Sequence, residues 1–142
     1  MKHINLKSKI WGLLESALSS PKSIRNLNDP LTVVGLHQAA SGIGQSVRYC
    51  SSHLQSSRIE HSNYDLSREF SQTDLCAEYS SPPTKIGNSA TILIHLNGPE
   101  LLRSLVRLKY YGPRLNWYII AYWAWELDQP PVLWTKALSH VS

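Results

Sequence analysis

Three places along the 142-residue chain hold residues whose types and spacing could do chemistry. The first is Gly42-Ile43-Gly44, in the small-residue loop of LTVVGLHQAASGIGQSVRYC (residues 31–50). A glycine-rich loop after a buried strand lets backbone amides approach a pyrophosphate, and the N-terminus of the next helix favours the negative charge. The match to a dinucleotide fingerprint is partial. GxGxxG needs glycine where Val47 stands, and the pair begins five residues beyond His37. A ribose-binding acid is also hard to place, since Glu60 opens the second strand segment and Asp65 falls late in it. No Gly-Lys-Ser/Thr follows, so this is not a Walker A loop. A phosphate loop and a plain turn both stand as readings of GIG.

The second place is a pair of histidines. His37 falls at the carboxyl end of one strand segment and His95, in ILIHLN, near the end of another. A single strand-end histidine commonly packs or makes a hydrogen bond. Two at one edge can hold a metal or move a proton. The third place is Glu126, which follows Trp123-Ala124-Trp125. A carboxylate there can act as a base or grip a sugar hydroxyl, and Trp125 beside it can stack on a sugar ring. The plainer alternatives are a solvated loop acid and core tryptophans. Ser41 in AASGI lacks the G-x-S-x-G elbow of a nucleophile. Cys50 and Cys76 have no CxxC or CxxH neighbour, so no zinc pattern is present, and Cys50 reads as a small core residue.

The elements that would position these residues follow from periodicity. Ile10, Leu13, Leu14, Ala17 and Leu18 recur at helical spacing, which predicts one amphipathic helix in residues 1–20. A polar, proline-bounded linker follows at 21–30. The helix can pack on the domain or, with its lysines, make a peripheral contact with a membrane surface. Residues 31–37 are apolar without alternation, the mark of a strand covered on both faces of a parallel sheet. Ile43, Val47, Cys50 and Leu54 predict a helix over 43–57. Residues 58–66 read as a weaker strand and 67–89 as a long irregular loop. Residues 90–97 read as the clearest strand, and Gly98-Pro99-Glu100 opens a helix that buries Leu101, Leu102, Leu105, Val106 and Leu108. Residues 116–125 form a fourth, aromatic strand, and Pro130-Pro131 starts a last helix. The alternation predicts an α/β fold, a partial Rossmann-like parallel sheet of about four strands with helices on both faces, preceded by the amphipathic helix. The expected division is residues 1–30, helix and linker, then one domain over 31–142.

Composition narrows the classes. At 42% hydrophobic and 17% charged residues the chain is globular and not intrinsically disordered. The net charge is +4, and its basic residues are scattered instead of forming a stripe, which argues against nucleic acid; a solvated basic surface is the plainer reading, with nucleotide phosphates or a lipid headgroup surface as the anionic partners it could meet. The longest apolar run, 117–125, falls well short of the ~20 residues of a membrane span. No signal-peptide pattern precedes the chain's first helix, so a reducing cytoplasm is the expected compartment.

Taken in order, VVGLHQAASGIGQSVR, TILIHLNGPEL and IIAYWAWELDQPPVLWTKAL resemble the N-terminal half of bacterial group 1 (retaining) glycosyltransferases of the GT-B fold. The similarity spans roughly residues 31–138, and Tyr122-Trp123-Ala124-Trp125-Glu126-Leu127 carries its most specific segment. It implies the first of two Rossmann-like domains, the acceptor side of an enzyme that transfers a sugar from a nucleotide-sugar donor to a carbohydrate or lipid-linked acceptor. It implies no cofactor and no metal. By matching position, Gly42 and Gly44 would lie near the donor phosphates. His37, His95, Trp125 and Glu126 would contact sugar or acceptor, with His95 and Glu126 the candidates for catalysis. The chain departs from the pattern at Gln45, where the loop has an acid, and at Asn97-Gly98-Pro99-Glu100, where the family has Asn-Pro-Pro-Glu. The donor domain would lie beyond residue 142, so the expectation is a truncated enzyme, inactive by itself. A stand-alone, non-catalytic α/β module that binds a nucleotide or a protein is the alternative.

Overall fold

The computed structural model describes residues 28–72, 85–110, 116–124, 128–129 and 131–141. The helix expected in residues 1–20, most of the loop at 67–89, and Trp125 and Glu126 lie outside them. The described elements run β1 (Leu31–Gly35), α1 (Gly42–Ser56), β2 (His61–Asp65), β3 (Ser89–His95), α2 (Gly98–Tyr110), β4 (Asn116–Tyr122), α3 (Val132–Thr135) and a closing 3-10 turn (Lys136–His140). The four strands form one sheet in the order β2-β1-β3-β4, and every neighbouring pair is parallel. This is the α/β sheet that the alternation predicts.

Burial explains why β1 is apolar but for Thr32, whose hydroxyl pairs with that of Ser62 on β2. β1 lies at the centre, and Val33 and Val34, which point to opposite faces, are both 0% exposed. One face is covered by α1, whose Ser51 hydroxyl donates to Asn63 Oδ1 at 2.9 Å. Asn63 pairs in register with Val33, Val33 with Leu93, and Leu93 with Ile120, so these four mark one row on the α1 face. The opposite face holds the main core. Val34, Ile92, Ile94 and Ile119 pack there with Leu101, Leu105 and Leu108 of α2 and with Ala137 of the closing turn. The helical spacing read for α2 is thus the spacing of a buried stripe. Leu101 and Leu105 are fully buried, whereas Arg103 and Arg107 are exposed.

The strands are shorter than the apolar runs that announce them. β2 begins at His61 because Arg58 adopts a positive φ of 57° after the C-cap of α1, and the chain needs that turn to re-enter the sheet. β4 ends at Tyr122, so Trp123 and Ala124 belong to the loop beyond the sheet's edge. The last helix is only four residues of α-helix before it tightens into the 3-10 turn. Among the described residues, no helix is long and apolar enough to cross a membrane.

Candidate functional site

In this strand order the chain leaves β1 toward β2 and leaves β3 toward β4, in opposite directions. The two connecting helices cover opposite faces, so the carboxyl ends of β1 and β3 meet at the switch point of the strand order, the place where doubly wound sheets bind ligands. All three quoted segments end at this edge. The loop after β1 leads into α1, residues 95–98 lead from β3 into α2, and residues 122–124 leave β4.

The loop after β1 is held by its own hydrogen bonds. Ser41 caps α1, its Oγ accepting from the Gly44 amide at 3.2 Å, which assigns that hydroxyl to a helix cap. Arg48, one turn and a half into the helix, reaches back and donates through Nη1 to the carbonyls of His37 (2.8 Å) and Ala39 (2.9 Å). Asp65 is the last residue of β2. The strand ends where a ribose-binding acid would stand, but the carboxylate is turned inward. Its Oδ1 accepts from Ser67 Oγ at 2.6 Å, from Ser67 N at 3.2 Å and from Gln38 N at 3.3 Å.

The two glycines of GIG are not equivalent. Gly44 is buried, and a Cβ there would collide with the carbonyl oxygens of Ala39 and Leu36, the latter at 2.8 Å. Its glycine is required by the close seating of α1 on the loop. Gly42 is exposed, and a Cβ there would meet nothing within 4 Å. The amides of Gly42 and Ile43, in the first turn, have no acceptor within the helix. Of the two glycines, Gly42 alone faces outward.

The two histidines do converge. His37 is fully buried, and its Nε2 donates to the Val33 carbonyl at 3.1 Å. His95, 7% exposed, stacks on Tyr122 with ring centroids 4.7 Å apart and an interplanar angle of 27°. Burial, with the charge of His37 as a smaller cause, brings the His95 pKa down to about 4. Burial likewise lowers that of His37. Both rings are neutral at physiological pH and can accept or relay a proton but present no positive charge. Among the described residues, no three histidine, cysteine or acidic side chains gather at one point.

Among the described residues, His95 Nδ1, Asn97 Oδ1 and Trp123 Nε1 are buried here without a hydrogen-bond partner. Buried polar atoms are ordinarily paired, and such a group at the strand ends suits a polar ligand. Trp123 is held edge-on to Trp134 at 6.1 Å and 88°, and a Cβ on Gly98 would meet the Trp134 ring at 2.5 Å. Gly98 thus allows the tryptophan pair to close over the start of α2. Tyr122 and Asn97 are site residues that reading the sequence did not single out. Their signal was adjacency to His95, along the chain for Asn97 and across the β3–β4 register for Tyr122.

Comparison with protein-family models, curated proteins and solved structures finds no match to this chain.

Proposed function

We propose that these 142 residues form the acceptor-side, Rossmann-like part of a retaining glycosyltransferase that moves a sugar from a nucleotide donor to a carbohydrate or lipid-linked acceptor. The observation that carries this reading is the convergence at one sheet edge of three segments far apart in sequence, with His95 Nδ1, Asn97 Oδ1 and Trp123 Nε1 buried there and unpaired among the described residues. Sugars present many hydroxyls and apolar C–H faces. Neutral hydrogen-bonding groups beside aromatic rings suit both. In this reading the open first turn at Gly42 faces the donor phosphates, while Gly44 supports the turn from behind. His95, stacked on Tyr122, takes the acceptor side with His37 buried behind it; Trp125 and Glu126, outside the described residues, enter as sugar contacts by the resemblance alone. The new glycosidic bond forms on the face the departing nucleotide occupied, and no metal or cofactor is required. A second domain supplies the rest of the donor site.

Calorimetric titration of the folded chain with UDP, GDP, ADP and a panel of mono- and disaccharides tests this. The expected result is saturable saccharide binding, weakened at least about tenfold by Tyr122→Ala, which removes a stacking surface. Gly42→Val should weaken any nucleotide binding, since a β-branched side chain blocks close backbone approach. A folded chain that binds neither class overturns the proposal. Nucleotide binding without saccharide binding replaces it with a nucleotide-binding module.

A further inference from the structure

Residues 37–39, between β1 and the cap of α1, are gripped from two elements by groups of opposite charge. From α1, Arg48 Nη1 donates to the carbonyls of His37 and Ala39, at 2.8 and 2.9 Å. At the end of β2, Asp65 Oδ1 and Ser67 Oγ accept from the Gln38 amide between them, at 3.3 and 3.1 Å. Ser67 is fully buried, and its hydroxyl donates to Asp65 Oδ1, which ties the two acceptors together. Arg48 reaches the loop because Gly44 stands four residues before it, on the same side of the helix. A Cβ on Gly44 would fall on the Ala39 carbonyl that Arg48 holds. The glycine clears the path and the arginine uses it.

A half-buried cation is a poor device for stability alone, since its desolvation costs free energy that a well-packed apolar side chain does not. Charged hydrogen bonds are strong and directional. Two of them on carbonyls two residues apart select one conformation of the loop. We propose that Arg48 is a positioning residue: with Asp65 and Ser67 opposite, it clamps residues 37–39 so that the first turn of α1 meets a phosphate without reorganising. A binding loop held in its bound conformation gains affinity because less ordering remains to be done on binding. Arg48 touches the loop's carbonyls and acts on the ligand through the loop. The bearing on phosphate rests on the donor-side reading of Gly42 given above. The clamp stands on the hydrogen bonds of Arg48, Asp65 and Ser67.

Amide hydrogen exchange of the full chain, followed by NMR, is to be measured beside calorimetric titration with UDP, GDP and ADP. In Arg48→Met the amides of Gln38 and Ala39 should exchange about tenfold faster while those of β1 and β3 keep their rates. Nucleotide affinity should fall about fivefold or more. Arg48→Lys keeps the charge and has donors enough for two carbonyls, so it should return both readings to within about threefold of the unmodified chain. Ser67→Ala, a smaller change on the opposite side, should speed the Gln38 amide by about threefold, and it decides the matter if Arg48→Met does not fold. Unchanged exchange at Gln38 and Ala39 overturns the proposal. So does equal acceleration throughout the sheet, a lysine variant no better than the methionine one, or a loosened loop with undiminished nucleotide affinity. If the unmodified chain binds no nucleotide, the donor-side reading falls, and the exchange rates alone decide the clamp.

Discussion

Single residues separate packing from chemistry at this site. GIG reads as one motif, yet Gly44 answers to the carbonyls of Leu36 and Ala39 and Gly42 to nothing in the chain itself. Gly44→Ala should therefore destabilise the fold by about 1–3 kcal/mol, because the backbone it meets cannot move aside cheaply. Gly42→Ala should leave stability unchanged or raise it by up to about 1 kcal/mol, through better helix propensity and a less flexible unfolded chain. Urea unfolding midpoints of the two variants check both signs. Equal destabilisation would remove the distinction and, with it, the case for an outward-facing Gly42. Ser41 and Asp65 make the same point. Each has the chemistry for a catalytic or ribose-binding role, and each is engaged in a local hydrogen bond that builds the turn.

At the level of elements, periodicity predicted best where a helix or strand is buried on one stripe. α2 is the clearest case, and Leu105, fully buried, sits at its centre. Leu105→Ala should cost about 2–5 kcal/mol, transfer plus cavity. Arg107→Ala, on the exposed side of the same helix, should stay within about 0.5 kcal/mol. A chemical denaturation series distinguishes them, and comparable losses would mean that α2 does not present this face to the sheet. Element ends were less legible. The apolar run at 116–125 continues past the strand because Trp123 leaves the sheet to pack edge-on against Trp134, a contact with a residue eleven positions later. Hydrophobicity alone cannot tell a strand residue from a loop residue that caps the core.

Acid sensitivity belongs to the whole molecule, since it arises from where the fold buries its histidines. In the unfolded chain a histidine protonates near 6.5, whereas in the native state His95 does so only at about 4. Between those values the unfolded state binds more protons, so stability is full above pH 6.5 and is lost as pH falls toward 4. His95 alone should account for about 2 kcal/mol between pH 7 and pH 5. His37, also lowered by burial, acts in the same direction. His95→Phe, which keeps a ring against Tyr122, should flatten this decline in urea titrations at the two pH values. An undiminished decline would place the acid-sensitive group elsewhere.

The sequence by itself determined that this chain builds a parallel α/β sheet, since β1 is apolar on both faces and α1 and α2 carry apolar stripes at helical spacing. It also put His37, His95 and the glycine loop at strand ends, because strand position follows from local pattern. Tertiary structure decided what those positions mean. Strand order β2-β1-β3-β4 brings the ends of β1 and β3 together at the switch point. Cross-strand register sets Tyr122 against His95. The close seating of α1 makes one glycine structural and leaves the other open. Each of these is a contact between segments distant along the chain. Local periodicity carries no information about which distant partner a residue meets.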